Sequence, residues 1–244
     1  MKKFVEVLAD KTALVARSRA IVVDKIQSAI ASSGQCSIAL AGGSTPKPLY
    51  EGLAEENLPW DKIQIFWGDE RYVAPDHPDS NQLMARQAWL DKIEIREENI
   101  HPAPTDSKNP TIDAERYEAV VREVFTVSPE EFPTFDIILL GMGDDGHTAS
   151  LFPHTSVLQE TTKAIAVGNK DNQPRITFTV PLINQAQCVL FLVAGANKQA
   201  ALEQVFAAQG DAMTYPSRLI NPQGELWWLL DRDAGAKIDT LVSS

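Results

Sequence analysis

Three glycines, two carboxylates and an imidazole lie together in the segment GMGDDGHT, residues 141–148, directly after the apolar run Asp136–Leu140. Asp145 and His147 are two residues apart, a spacing at which a carboxylate can orient an imidazole or tune its charge. The segment also matches the G-x-G-x-x-G pattern of dinucleotide-binding loops, but no strand ending in an acidic residue follows about 20 residues later. We interpret His147 as a candidate general base, with a residue in a helix-capping turn as the alternative.

A second glycine-bearing loop, AGGSTP at residues 41–46, follows the apolar run Ser37–Ala41. Two glycines allow backbone amides to turn toward an anion, and the hydroxyls that follow favour a phosphate at the start of a helix. Thr45 is expected to cap that helix, with Pro46 in its first turn. Phosphate binding and a well-capped strand-to-helix turn stay open as alternatives on the spacing alone. The candidate phosphate-binding residues are Gly42, Gly43, Ser44 and Thr45.

Arg71 ends the segment GDER, residues 68–71, which follows the apolar run Ile63–Trp67. Three charged residues at the end of a buried strand are more than solvation requires. A guanidinium in this position can bind a phosphate or a carboxylate through two parallel N–H groups. The alternative is a surface turn in which Arg71 pairs with Asp69 or Asp76.

Two further basic residues flank predicted strands. Arg175 immediately precedes the run Ile176–Val180, and Lys198 follows the run Cys188–Ala194 within the segment GANK. Lys198 is also in phase with the apolar stripe of the next helix, and a lysine in the first turn of a helix opposes the helix dipole. Such a lysine either faces a bound anion or extends past the helix end into solvent.

The elements that must position these residues follow from the hydrophobic pattern. Continuous apolar runs predict the strands of a mostly parallel sheet, namely Phe4–Leu8, Ser37–Ala41, Ile63–Trp67, Asp136–Leu140, Ile176–Val180, Cys188–Ala194 and Glu225–Leu230. Helical patterns lie between them: one capped by Asp10 that runs to about Ala31, then Gln82–Ile93, Tyr117–Val124 and Ala201–Val205. This alternation favours a single α/β domain over residues 1–244.

The position of the candidate residues after predicted strands indicates where they meet. Ligands of open α/β sheets bind at the carboxyl ends of the parallel strands. We therefore expect Arg71, His147, Arg175 and Lys198 to converge from four strand ends of the same sheet.

The composition is that of an ordinary globular protein, since the 244 residues are 44% hydrophobic and carry a formal net charge of −11. A net acidic chain argues against nucleic acid or an anionic membrane as a partner. The N-terminal segment MKKFVEVLAD contains two acidic residues, and the longest apolar run, Cys188 to Ala196, has nine residues. We therefore expect neither a signal peptide nor a membrane span, and a cytoplasmic protein with buried, reduced Cys36 and Cys188.

Several motifs of other chemistries are absent from the sequence. It contains no C-x-x-C, no H-E-x-x-H and no clustered His/Asp pattern, so we expect no metal site. It also lacks the G-x-S-x-G motif of a serine nucleophile and the G-x-x-x-x-G-K spacing of a Walker loop.

Taken in order, five segments resemble the 6-phosphogluconolactonase family, which is grouped with glucosamine-6-phosphate isomerases. They are SIALAGGSTPKPLYEGLA, FWGDERYVAPDHPDSN, FDIILLGMGDDGHTASLFP, PRITFTVPLI and GANKQAAL, from about residue 36 to about residue 203. The resemblance implies a three-layer α/β sandwich with a Rossmann-like sheet, similar to glucosamine-6-phosphate deaminase and ribose-5-phosphate isomerase. It also implies hydrolysis of 6-phospho-D-glucono-1,5-lactone to 6-phospho-D-gluconate, the second step of the oxidative pentose phosphate pathway, without a cofactor.

The resemblance also assigns roles to individual residues. His147 would be the catalytic base and Asp145 would hold or polarise its imidazole. Arg71 would be a second active-site residue that either contacts the phosphate or stabilises charge. The GGST loop, Arg175 and Lys198 would bind the phosphate. The expected partner is a small phosphosugar lactone. Separately, we expect the protein to be a monomer or a weak homodimer.

Three other functions compete with this interpretation. A glucosamine-6-phosphate deaminase shares the sheet, the glycine loop and a D-G-H segment, but it is expected to use an additional acidic base, and DERYVAPDHPDSN matches the lactonases. A non-catalytic sugar-phosphate sensor would carry a DNA-binding module, for which no room is evident. A nicotinamide dehydrogenase rests only on the G-x-G-x-x-G match.

Overall fold

The structure, a computed structural model, describes residues 2–238. Its strands are β1 Lys2–Leu8, β2 Cys36–Leu40, β3 Ile63–Trp67, β4 Asp69–Arg71, β5 Ile100–His101, β6 Ile137–Leu140, β7 Ile165–Lys170, β8 Gln173–Phe178, β9 Cys188–Val193 and β10 Glu225–Asp231. Its helices are α1 Lys11–Ser33, α2 Lys47–Leu53, α3 Asn81–Ala88, α4 Pro110–Phe125, α5 Val180–Asn184, α6 Gln199–Phe206 and α7 Arg232–Gly235. Six of the seven predicted strands are confirmed to within two residues.

Seven strands form one sheet in the order β1-β10-β9-β6-β2-β3-β5, and every neighbouring pair is parallel. The strands β9, β6, β2 and β3 are therefore adjacent at its centre. Because they are parallel, the loops that follow them leave the sheet at the same edge. Three of these are the GANK, GMGDDGHT and GGST loops, and GDER follows β3.

The parallel sheet is covered on both faces, which explains why its strands are continuously apolar. Ile38 and Leu40 of β2 face a buried cluster that includes residues of α1, α2 and α3. Ala39, between them, faces the opposite side together with Phe66, against α4, α6 and the inner residues of a second, smaller sheet. The predicted three-layer α/β sandwich is thereby confirmed.

The smaller sheet is antiparallel, with the order β4-β8-β7. The prediction that Ile176–Val180 is a strand of the parallel sheet is wrong, because those residues form the end of β8 and the start of α5. Asp171 and Asn172 adopt positive φ angles of 52° and 62°, the conformation of a two-residue hairpin turn. This turn folds β8 back onto β7 and away from the parallel sheet.

This second sheet corrects the predicted origin of two candidate residues. Arg71 in β4 and Arg175 in β8 lie directly opposite each other in the antiparallel register. They do not leave strand ends of the parallel sheet, whereas His147 and Lys198 follow its strands β6 and β9. The two sheets still meet at one place, because only Gly68 separates β3 from β4.

The start of α1 was predicted correctly and the start of α2 was not. Asp10 caps α1, its carboxylate accepting a hydrogen bond from the amide of Ala13 at 2.8 Å. The prediction that Thr45 caps α2 is wrong, because Pro46 already has helical backbone angles and occupies the cap position of α2 without a side-chain bond. The hydroxyl of Thr45 is therefore not used by that helix.

The helix predicted over Gln82–Ile93 is shorter than expected. It is α3, which ends at Ala88 and is followed by a 3₁₀ turn, Leu90–Lys92. Between them Trp89 has a φ of −143°, outside the helical range. Its indole is fully buried and lies 5.9 Å from the Tyr50 ring, so tertiary packing decides where this helix ends.

Cys36 and Cys188 are buried free thiols, as predicted. Within residues 2–238, no helix combines the length and apolar character that crossing a membrane requires.

Candidate active site

A cavity of about 270 Å³ opens where the loops after β2, β3, β6 and β9 come together. Eight of the nine predicted site residues line it: Gly42, Gly43, Ser44, Thr45, Arg71, His147, Arg175 and Lys198. The ninth, Asp145, contacts the ring of His147. The structure therefore brings together all the residues that the sequence singled out.

His147 and Asp145 form the tightest polar contact of this cavity. The ring Nδ1 of His147 lies 2.5 Å from Oδ1 of Asp145, and the His147 amide donates to the same oxygen at 3.1 Å. Burial alone would raise the pKa of Asp145, but the hydrogen bonds from His147 lower it to about 2. An ionised carboxylate only accepts hydrogen bonds, so Nδ1 carries the proton and Nε2 of a neutral ring is left as a base.

The glycines of the GMGDDGHT loop make room for this pair. A side chain at Gly143 would overlap the imidazole of His147 and the carboxylate of Asp145. Gly146 has a φ of +79°, and its carbonyl accepts hydrogen bonds from the amide and hydroxyl of Ser217. The pattern that resembled a dinucleotide-binding loop thus shapes a tight turn around the imidazole.

Arg71 and Arg175 form an unusual pair of like charges. Burial lowers the pKa of Arg175, the Asp69 carboxylate opposes this change, and the neighbouring Arg71 lowers the pKa further. The Nε atoms of both arginines are buried and have no hydrogen-bond partner in the described residues. An anion bound between the two guanidinium groups would satisfy these donors and relieve their repulsion.

The guanidinium of Arg71 is held from the other side by backbone. Its Nη1 donates to the carbonyl of Asp79 at 2.6 Å, instead of the predicted alternative of a surface ion pair with Asp69 or Asp76. Arg71 therefore lines the cavity with a guanidinium that is oriented but not neutralised by this bond.

Lys198 and the GGST loop provide the other anion-binding groups. Lys198 ends a 3₁₀ turn directly before α6, is half-buried and lines the cavity. Gly43 has a φ of +96°, a conformation that favours glycine, and Ser44 beside it is exposed. Three cationic side chains, Arg71, Arg175 and Lys198, therefore line this cavity of an acidic chain, together with the carboxylates of Asp69 and Asp144.

Sequence reasoning missed three polar residues of this region. Asp69 is only 8% exposed, lines the cavity and accepts a hydrogen bond from the Ser150 hydroxyl at 2.7 Å. Asn81 is fully buried against Gly42, and Glu70 is 2% exposed. Burial raises the pKa of Glu70 to about 7, although three backbone amides oppose that change. In the sequence, the excess of charge in GDER was a signal for Asp69 and Glu70, and Asn81 ends the quoted segment FWGDERYVAPDHPDSN.

Within residues 2–238, no group of three or more His, Cys, Asp or Glu side chains could hold a metal ion.

The structure is that of an α/β protein with a cavity beside the carboxyl ends of its parallel strands, and the chain belongs to the family described as glucosamine-6-phosphate isomerases/6-phosphogluconolactonase, whose model matches residues 9–228. It is 61% identical to the 6-phosphogluconolactonase of Nostoc sp., over 98% of this chain and 99% of that protein. The solved 6-phosphogluconolactonase from Trypanosoma brucei is 31% identical with a TM-score of 0.85, and the match covers 97% of this chain and 99% of that one. The predicted resemblance and the predicted class, a lactone hydrolase, are confirmed.

A solved monomeric glucosamine-6-phosphate deaminase shares the fold with a TM-score of 0.78 at 20% identity, covering 97% of this chain and 99% of that chain. This confirms the predicted relation of the fold to the deaminases.

The carboxylate of Asp145 determines which ring nitrogen of His147 carries the proton in the neutral state. Nitrogen-15 NMR of the labelled protein is expected to show the Nδ1–H form of His147 as the dominant neutral tautomer. In Asp145→Asn the side-chain amide can also donate, so a mixture of both tautomers is expected. A dominant Nε2–H tautomer in the unsubstituted protein would contradict this geometry.

Proposed function

We propose that this protein hydrolyses 6-phospho-D-glucono-1,5-lactone to 6-phospho-D-gluconate, with His147 as the general base. The observation that carries the proposal is the Nδ1–Oδ1 contact of 2.5 Å between His147 and Asp145 in a cavity lined by Arg71, Arg175 and Lys198. In this proposal the His147–Asp145 pair activates water, and the three basic side chains provide the site for an anion. The substrate is inferred from the similar proteins, which are named 6-phosphogluconolactonases.

The reaction is the addition of water across an activated ester. Nε2 of His147 takes a proton from water as the oxygen attacks C1 of the lactone, which places a negative charge on the former carbonyl oxygen. Either the loop amides of residues 144–145 or the guanidinium of Arg71 stabilise that charge. The amides of Gly143 and Gly146 already donate to the carbonyls of His147 and Gly143. The C1–ring oxygen bond then breaks, and His147 returns the proton to the ring oxygen, so that no external acid or cofactor is consumed.

The groups that bind the phosphate of the substrate do not take part in the proton transfer. Lys198, Arg175 and the GGST loop donate to its oxygens, which fixes the far end of the sugar and thereby the orientation of C1. Arg71 either joins this set or acts on the developing charge, because its guanidinium lies in the same cavity wall. In the cell the reaction is the second step of the oxidative pentose phosphate pathway.

Removal of the imidazole tests the chemical part of the proposal. His147→Ala is expected to lower kcat by about 100-fold or more, the effect of losing a general base, while KM changes little. The measurement is lactone consumption corrected for spontaneous ring opening. His154→Ala is the matched control, because His154 is an exposed histidine outside the cavity. Full activity of His147→Ala would contradict the proposed mechanism.

Removal of a basic side chain tests the binding part. Lys198→Ala and Arg175→Ala are each expected to raise KM by about tenfold or more, because each loses a charge-assisted hydrogen bond to the phosphate. Lys163→Ala serves as the control, since Lys163 lies outside the cavity beside Glu115. A change in kcat alone would assign these residues a chemical role instead.

A further inference from the structure

Glu70 lies directly before Arg71, and its buried carboxylate accepts hydrogen bonds at both oxygens. Oε1 accepts from the amides of Arg71 and Asn81 at 2.8 Å each. Oε2 accepts from the amide of Gln82 at 2.7 Å and from the hydroxyl of Ser80 at 3.2 Å. The carboxylate thus binds the first amides of α3, which have no partner within the helix.

These bonds close the loop of residues 72–79, because Glu70 and Arg71 lie at one end of it and Ser80 at the other. Within the same closure, Nη1 of Arg71 donates to the carbonyl of Asp79, the residue before Ser80. The carboxylate of Glu70 therefore holds the backbone of Arg71 through the Arg71 amide. It also holds the start of α3, next to the Asp79 carbonyl that accepts the hydrogen bond from the Arg71 guanidinium. β4 has only three residues, so this closure supplies much of the order of Arg71.

The same helix start also reaches the glycine loop. The side-chain amide of Asn81 donates to the carbonyl of Asp69 at 2.9 Å, and its other end packs against Gly42 so closely that a side chain at Gly42 would overlap it. The side chain of Asn81 thus lies between the two loops that carry Arg71 and Gly42.

We infer that Glu70 is a positioning residue of this active site, which acts by holding the guanidinium of Arg71 at the cavity through the closed loop of residues 72–80. The inference rests on the proposed function in so far as Arg71 acts on the substrate. Glu70 does not line the cavity and so does not itself touch the substrate.

A double-mutant cycle distinguishes positioning from a merely structural role. Glu70→Gln keeps the shape of the side chain but leaves one oxygen able to accept, so kcat/KM is expected to fall by about tenfold. In the Arg71→Ala background the same substitution is expected to lower kcat/KM by less than about threefold, because the group that Glu70 positions is already missing. An effect of threefold or more in that background, or no effect of Glu70→Gln alone, would overturn the inference.

Glu118→Gln is the matched control for this cycle. Glu118 also has a carboxylate that accepts two backbone amides, those of Ala164 and Ile165, and it ties α4 to β7 outside the cavity. It is expected to lower the melting temperature without changing kcat/KM. If Glu70→Gln cannot be purified folded, Ser80→Ala replaces it, with an expected effect of about twofold that disappears in the Arg71→Ala background.

A second readout separates this inference from the proposed function. The unsubstituted protein, Glu70→Gln, Arg71→Ala and the double variant are each titrated with inorganic phosphate by calorimetry. Their four dissociation constants form a second double-mutant cycle that does not depend on turnover. If the unsubstituted protein does not accelerate lactone opening, the proposed function fails. The positioning role is then supported by coupled phosphate affinities and overturned by independent ones.

Discussion

The parallel pairing of β9, β6, β2 and β3 is the constraint on which the rest of this molecule depends. A parallel strand can return only through a crossover, and here the crossovers cover both faces of the sheet with apolar side chains. The loops that follow these four strands leave the sheet at its carboxyl edge, so the GANK, GMGDDGHT, GGST and GDER segments meet there. In a chain with a net charge of −11, three cationic side chains, Arg71, Arg175 and Lys198, are thereby gathered in one cavity.

The small antiparallel sheet contributes the pair of arginines that lines the cavity, Arg71 and Arg175. It places Arg71 and Arg175 side by side, a costly arrangement in the absence of an anion. The buried carboxylates of Asp69 and Glu70 both raise the pKa of Arg175, and Glu70 also accepts hydrogen bonds from three backbone amides and the Ser80 hydroxyl. The buried Nε atoms of both guanidinium groups have no hydrogen-bond partner within residues 2–238, so the proposed phosphate would meet two donors that are already in place.

Much of this arrangement could be predicted from the sequence, and the errors have physical causes. Continuous apolar runs and the Asp10 cap are local signals, so six strands of the parallel sheet and α1 were found. β8 was misplaced because its pairing depends on the hairpin turn at residues 171–172. Glu70 and Asn81 escaped notice because a sequence shows that a residue is polar but not that it is buried, and their importance comes from burial. The convergence of His147 and Lys198 was predictable, since both follow strands of one sheet.

The central claim is that this cationic edge recognises a phosphate in order to place a lactone beside His147. The most direct test compares kcat/KM for 6-phosphoglucono-1,5-lactone with that for glucono-1,5-lactone without the phosphate, each corrected for spontaneous opening. Two charge-assisted hydrogen bonds predict a preference for the phosphorylated lactone of about 100-fold or more. Equal values of kcat/KM for the two lactones would contradict the account.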